Sequence, residues 1–300
     1  MWEIFKFSIS KIHPAVAQAA QTSLAAIVVI ILGSIIEDIP GDFHHVIHLC
    51  SAVAIGVIFL KPTHSLVSLG TETIETLHQY GKLLLPVMTS ALAAQGGISS
   101  SAVLYTGTSL FCSVLTGLIT RFIVPMLYIY MGLSIANSAI GENVLKKIQD
   151  FVKCLMTWSM KSLLYFFTGY LTISGVISGT ADASAVKAAK LAISGVVPVV
   201  GKILSDASET ILVSAGIMKN SAGIYGLLAI TAVWIQPFLQ IGCQYLLTKI
   251  TGSVCHVIGS KQSAELVESF SVSMGMILAM TGTVCLLLMI STVCFMKGIS

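Results

Sequence analysis

Long apolar runs separated by short polar stretches set the pattern of this chain. The first run, residues 15–36, is long enough for an α-helix to cross a bilayer, and it predicts a retained membrane span. An acidic turn at residues 37–42 follows, and a second helix is predicted over residues 43–60, ending at Lys61–Pro62. Residues 63–82 are polar on one side and apolar on the other, which predicts an amphipathic helix at the membrane interface.

A short apolar arm comes next, at residues 83–94, with Pro86 in its middle. It ends in small and polar residues that include Gly96 and Gly97, a composition typical of a turn. A second arm with a central proline lies at residues 191–204, and it would rise about 21 Å as a helix. Because the hydrocarbon core is about 30 Å thick, both arms are predicted to be broken or re-entrant hairpins that enter the membrane without crossing it.

Between these arms, apolar sequence continues over residues 102–140 without a turn signal and contains Arg121 and Pro125. A single helix of that length would measure about 58 Å, so it is expected to protrude, break or divide. If one helix ends at Arg121, this residue is an interfacial anchor. If the helix is continuous, the guanidinium needs a carboxylate or a watery cavity. A lysine-bearing stretch, residues 142–153, closes the first half.

The second half repeats the plan of the first. A span, an interfacial segment, two short arms, a long helix, a polar link and a last span are predicted at residues 155–177, 182–190, 191–204, 211–218, 221–248, 251–268 and 270–296. The central prolines of the two arms, Pro86 and Pro198, are 112 positions apart, and Pro125 and Pro237 are also 112 apart. We therefore expect an N-terminal segment at 1–42 and two membrane repeats, at 43–153 and 154–300, with Pro125 and Pro237 as hinges.

Charged and small residues bracket the arms of the second half: Asp182, Lys187, Lys190, Pro198, Gly201, Lys202, Asp206, Glu209, Lys219 and Asn220. A charge at membrane depth costs about 2.5–3.5 kcal/mol on insertion scales, so these residues are expected to be sheltered by protein or to line water. Together with Pro86, Gly96, Gly97 and Arg121 they are the candidate functional hairpin or pore. Each of Asp182, Lys187 and Lys190 has an alternative interpretation as the solvated face of an interfacial helix.

The composition fits a helical integral membrane protein. The chain is 55% hydrophobic and only 10% charged, with a mean hydropathy of +0.93, so an all-α polytopic fold is predicted. A net charge of +3 does not favour nucleic-acid binding. The seven cysteines show no CxxC spacing, and the chain has no phosphate-binding loop motif and no catalytic constellation. We therefore expect no enzymatic activity, no cofactor and no metal site.

The distribution of lysines predicts the orientation. Lys6 and Lys11 precede the first span and further lysines cluster at 142–153, while the turn at 37–42 has none. The positive-inside rule then places the N-terminus and the 142–153 stretch on the cytoplasmic side, which makes the repeats inverted. The charge rule requires an odd number of crossings between residues 43 and 141. A re-entrant first arm followed by one crossing at 102–140 would make that number even, so the number of crossings stays open.

The residues around the arms resemble a known family. The motifs are Asp182-x4-Lys187-x2-Lys190, Pro198-Val199-Val200-Gly201-Lys202, Ser205-Asp206-Ala207-x-Glu209, Lys219-Asn220-x2-Gly223-x2-Gly226, and, earlier, Leu85-Pro86-Val87 with Gly96-Gly97. They resemble the stage III sporulation protein AE family, over most of the chain after about residue 15. Family members usually carry a cleavable signal and a longer polar N-terminal region, so this chain is expected to be a shorter member or a trimmed one.

The resemblance implies a role in endospore formation. It implies a multi-pass protein of the mother-cell membrane around the forespore, working with an ATPase and ring-forming proteins in a secretion-like channel. In that setting this chain would be a passive conduit or gate, energised by the partner ATPase and able to form homo-oligomers through Gly175 and Gly179.

Two other functions compete with the conduit. An ion-coupled transporter would place Asp182, Asp206 or Glu209 in a compact pocket near the turn at Ser99. A membrane scaffold would only anchor soluble partners.

Overall fold

The computed structural model describes residues 2–37, 44–140, 143–173, 200–258 and 261–297, with side chains described in 13–36, 46–140, 145–172, 213–258 and 261–297. These residues are helical apart from a tight turn at 95–97. The α-helices are α1 (Trp2–Glu37), α2 (His44–Ala94), α3 (Ile98–Leu118), α4 (Val124–Ile140), α5 (Asn143–Ile173), α6 (Val200–Ile258) and α7 (Lys261–Lys297).

Five helical stretches among the described residues are long and apolar enough to cross a membrane: His13–Ile36, Val46–Ala94, Ile98–Ile140, Val213–Ile258 and Lys261–Lys297. The predicted all-α membrane class is therefore confirmed, and the spans predicted at 15–36 and 270–296 lie within the first and last of these stretches. The span predicted at 155–177 belongs to helix α5, which is not among the five. Residues 174–177 lie outside the described part of the chain.

Helix α2 corrects the sequence-based boundaries of the first half. It runs for 51 residues from His44 to Ala94 without interruption, through both Pro62 and Pro86. The expected stop at Lys61–Pro62 is therefore wrong, and residues 63–82 are not a separate interfacial helix. The arm at 83–94 is the last part of α2 and not a short element of its own. Buried apolar residues along α2, such as Phe59 and Leu77, provide packing along the helix that compensates for the two prolines.

The stretch at 102–140 does not break into two separate helices. Helices α3 and α4 are joined by a π-helical turn, Ile119–Ile123, which contains Arg121. The Val124 N–H donates to the Ile119 carbonyl, a bond that spans five residues. Pro125 follows at once and has no N–H to offer, so the wider turn suits the backbone that precedes it.

Helix α6 contains several elements that the sequence predicted as separate in the second half. The arm predicted at 211–218 lies in its interior, and so does Pro237, as expected for the long helix. Of the arm at 191–204, residues from Val200 onward are the start of α6, and Pro198 lies outside the described residues. Gly175 and Gly179 also lie outside them. The internal repeat, which pairs Pro86 with Pro198, therefore stays a prediction.

The chain divides into two compact units, each assembled from three separated segments. The first unit comprises Met1–Ile74, Gly117–Met160 and Trp234–Gly282. In its core Phe59 stacks on Phe270, with ring centroids 5.2 Å apart.

The second unit comprises Glu75–Thr116, Lys161–Val233 and Thr283–Ser300. In its core Phe111 meets Phe167 edge to face, with ring centroids 5.3 Å apart. Met88, Leu92 and Phe295 are fully buried in the same unit.

Candidate functional site: a glycine-notched helix pair with a buried lysine

In the second unit, the end of α2 packs against α6 through three glycines of α6. A Cβ on Gly216 would stand 2.5 Å from the Gln95 Nε2, and one on Gly226 would stand 2.9 Å from the Leu84 Cδ2. Between them, a Cβ on Gly223 would stand 3.3 Å from the Met88 Cε, although Met296 of α7 lies nearer to it. Residue numbers fall along α2 as they rise along α6, so the two helices run antiparallel. The absent side chains of α6 leave room for side chains of α2, which lie directly against the α6 backbone.

Helix α2 ends in a defined turn at this site. Gly96 has a φ of 94°, a left-handed conformation that glycine adopts without a Cβ penalty. The Gly96 N–H donates to the Ala93 carbonyl at 2.9 Å, and the Gly97 N–H donates to the Leu92 carbonyl at 3.1 Å. This pair of bonds is the Schellman arrangement that closes a helix C-terminus. The predicted turn at Gly96 and Gly97 is therefore confirmed.

Lys219 lies on α6 one helical turn after Gly216 and is only 3% exposed. An ionisable side chain buried within an apolar helix is costly and marks a functional position by default. On the adjoining turn, the Gln95 Oε1 is buried and has no hydrogen-bond partner among the described residues. The site thus combines a buried cationic side chain with a buried acceptor. Asn220, the next residue of α6, is exposed.

The structure brings together part of the predicted site. The turn with Gly96 and Gly97, the Pro86 arm and the Lys219 segment all belong to the second unit, where the glycine contacts join them. Arg121 and Pro125 belong to the first unit, and Arg121 is exposed on the π-helical turn.

Other members of the predicted site are not tested. Asp182, Lys187, Lys190 and Pro198 lie outside the described residues. Gly201, Lys202, Asp206 and Glu209 lie on the first turns of α6, where only the backbone is described.

Sequence reasoning missed a polar cleft in the first unit. Its cavity has a volume of about 220 Å³ and is lined by residues of α4, α5, α6 and α7. The lining residues with charged or titratable side chains are Tyr130, Lys146, Asp150, Lys153, His256, Glu265 and Glu268. The signal was present, because the stretches at 142–153 and 251–268 were recognised as polar. They were treated as separate links, and their sequence separation hides the fact that they meet.

A buried glutamine, Gln149, connects three of the helices that line the polar cleft. The Gln149 Nε2 donates to the Ser134 Oγ at 2.8 Å and to the Ser269 Oγ at 2.9 Å, which ties α5 to both α4 and α7. Each serine hydroxyl donates in turn to a backbone carbonyl, of Tyr130 and of Glu265 respectively. A buried network in which both glutamine protons are used fixes the arrangement of three helices.

Two lysine–glutamate ion pairs lie at the rim of the polar cleft. The Lys146 Nζ is 2.9 Å from the Glu265 Oε2, and the Lys249 Nζ is 2.8 Å from the Glu268 Oε1. The hydrogen bond to Glu265 raises the pKa of Lys146, so the Lys146 ammonium stays protonated at neutral pH. Both pairs are partly exposed to solvent, so they fix geometry more than they add stability.

Comparison with known proteins decides the family. The sequence profile of stage III sporulation protein AE matches residues 1–298. The chain belongs to this family. A curated relative, the stage III sporulation protein AE of Bacillus subtilis (strain 168), is 20% identical over 235 residues. That alignment covers 78% of this chain and 59% of the relative, so the chain spans less than two thirds of the relative's length. No solved structure matches the chain significantly.

In this member of the stage III sporulation protein AE family, the family-like motifs have a structural explanation. Gly223 and Gly226 are two of the three glycines that admit α2 against α6, and Gly96 closes α2. Lys219 is the buried lysine of the same helix pair. Four motif positions, Gly96, Lys219, Gly223 and Gly226, therefore belong to the two helices of the glycine-notched pair.

Proposed function

We propose that this chain is a multi-pass subunit of a sporulation channel, in the mother-cell membrane around the forespore. It would act there as a passive conduit or gate, and a partner ATPase would supply the energy, with ring-forming proteins completing the complex. Family membership over residues 1–298, together with five apolar helices, supports the setting. The observation that carries the conduit itself is Lys219, because an ionisable side chain kept 3% exposed on a membrane helix marks a functional position by default.

The helix pair offers a physical basis for gating. Glycine-mediated contacts keep α2 and α6 close, yet each contact depends on a flexible side-chain end, such as those of Gln95, Met88 and Leu84. Side chains of this kind can re-pack when the backbones shift slightly, so two arrangements of the pair are accessible at low cost. The proposal includes the idea that the arms at 83–94 and 191–204 enter the membrane without crossing it.

A secondary transporter is the second candidate, and the same lysine favours it, since a buried ionisable residue is typical of coupled carriers. A transporter works as a single protein and moves its own solute. A channel subunit depends on its partners. The two functions therefore differ in what the purified chain does alone.

Replacing Lys219 with methionine tests the proposal, because methionine keeps the length of the side chain and removes the charge. The host is a sporulating strain without its own family member, and the readouts are forespore gene expression and co-purification of the complex. We expect Lys219→Met to lose forespore expression while the complex still assembles. Lys147→Met, an exposed lysine on α5, is the matched control and should complement fully.

The alternative outcomes are separable. Normal forespore expression in Lys219→Met would overturn the role of the buried charge. Loss of complex assembly would point to a scaffold. Solute uptake by the purified chain alone in vesicles, abolished by Lys219→Met, would establish the transporter instead of the conduit.

A further inference from the structure

The polar cleft of the first unit offers unused binding groups. Lys146 and Lys249 pair with Glu265 and Glu268, but Asp150 and Lys153 make no ion pair with another described residue. The cleft therefore presents one carboxylate and one ammonium outside the close ion pairs of the described residues, with Asp150 near enough to Lys146 to help raise the pKa of that lysine.

The polar cleft also contains a buried hydrogen-bond acceptor without a partner in the described part of the chain. The Gln262 Oε1 lies against the cleft without solvent contact and finds no hydrogen-bond donor among the described residues. A buried acceptor without a hydrogen bond destabilises the protein, so a bound group that donates a hydrogen bond would offset this cost. The ligand should accordingly carry an N–H or O–H donor as well as charge of both signs.

The ends of four helices also favour a ligand with charges of both signs. Helices α5 and α7 begin beside the cleft, at Asn143 and Lys261, and helices α4 and α6 end there, at Ile140 and Ile258. Helix N-termini favour anions and helix C-termini favour cations. The cleft therefore provides favourable positions for a negative and a positive group close together.

The surroundings of the cleft are apolar and exposed. Next in sequence to its lining residues stand Val257, 86% exposed, and Phe151, 66% exposed. Ile140 at the end of α4 and Ile148 on α5, two helices that line the cleft, are also exposed. A polar cleft at the ends of membrane-length helices, bordered by exposed apolar side chains, has the character of the boundary between headgroups and acyl chains.

We propose that the polar cleft binds the headgroup of an aminophospholipid. The primary ammonium donates to the Asp150 carboxylate and to the Gln262 Oε1, while the phosphate meets the Lys153 ammonium. The acyl chains lie along the exposed apolar side chains that border the cleft. A choline headgroup has no N–H to offer Gln262, and a glycerol headgroup has no cation for Asp150, so the cleft selects a primary ammonium. This inference is independent of the conduit proposed above.

Thermal unfolding of the purified full chain in detergent tests the proposal, with short-chain phosphatidylethanolamine, phosphatidylcholine and phosphatidylglycerol added separately. Phosphatidylethanolamine alone should raise the melting temperature, since a ligand that binds only the folded state stabilises it. Asp150→Asn and Lys153→Gln should each weaken phosphatidylethanolamine binding roughly tenfold or more, the expected loss of one charge-assisted hydrogen bond. Both residues are exposed, so neither variant should prevent folding.

Two controls keep the result specific. Lys147→Gln removes a lysine of the same helix that does not line the cleft, and it should leave the lipid effect unchanged. Soluble phosphoethanolamine should protect far less than the lipid, because it has no acyl chains to bury. An equal effect of phosphatidylglycerol would reduce the cleft to a simple anion site and overturn the proposal. Absence of any lipid effect would also overturn it and would leave the cleft open for a protein partner.

Discussion

The side-chain amide of Gln95 occupies the space in front of Gly216, with its Nε2 2.5 Å from where a Cβ would stand. This contact anchors the turn at the end of α2 to helix α6, one helical turn before the buried Lys219. The relationship makes Gly216 a position where a side chain larger than hydrogen has to displace the Gln95 amide, although the backbone there is an ordinary helix.

Gly216→Leu should therefore destabilise the second unit. The leucine has to displace Gln95 and the turn behind it, and overpacking of this kind costs about 1–3 kcal/mol. Gly242→Leu is the matched control, because it lies in the same helix and a Cβ there meets nothing within 4 Å. Both variants gain the same helix propensity, so the difference between their melting temperatures isolates the packing term. Equal melting temperatures would show that α2 and α6 do not touch at Gly216.

Gln149 should be a stability determinant of the first unit. Gln149→Leu removes the two hydrogen bonds to Ser134 and Ser269 and leaves buried acceptors unpaired, for an expected loss of about 1–3 kcal/mol. Gln79→Leu, at an exposed position whose amide donates to Glu75 at 3.1 Å, should change stability by less than about 0.5 kcal/mol. Thermal unfolding of both variants measures the contrast. A Gln149→Leu protein as stable as the parent would refute the network.

Pro125 and Pro237 remain the predicted hinges, and both lie inside helical segments. Replacing both with alanine restores two backbone N–H groups and removes a helix-interior cost of up to about 3 kcal/mol each. The double variant should therefore melt at a higher temperature than the parent while forespore gene expression falls. Pro62→Ala, in helix α2, is the control that should leave expression intact. Normal sporulation of the double variant would end the hinge hypothesis.

The two polar stretches that form the cleft should lie on one side of the membrane. Lys146 and Glu265 are 2.9 Å apart, so the start of α5 and the start of α7 share a surface. In a background without native cysteines, Lys147→Cys and Lys261→Cys should both react with an impermeant maleimide from the cytoplasmic side. Reaction from opposite sides would contradict the ion pair. Reaction of both from the external side would overturn only the orientation.

The sequence was sufficient for some features because their causes are local. The turn at Gly96 and Gly97 follows from glycine at a left-handed position, and the first and last spans follow from their apolar length. The motif residues Gly223, Gly226 and Lys219 were also recognisable, although not as parts of a single helix contact.

Other expectations failed because packing overrode local signals. Pro62 and Pro86 predicted breaks, yet α2 passes through both, since buried side chains along its length stabilise the helix more than the missing hydrogen bonds weaken it. The polar residues 63–82 predicted an interfacial helix, yet their apolar side packs inside the protein, where Thr63, Ile74 and Leu77 are buried.

The sequence by itself determined that this is a helical membrane protein with small-residue turns and a few costly internal charges. Composition and hydropathy are sums over neighbouring residues, so no contact is needed to calculate them. Only the tertiary structure decided that Gln95 meets Gly216 and that Lys146 meets Glu265. Such pairs are separated by more than a hundred positions, and hydropathy alone does not specify which faces of long apolar helices will pack together.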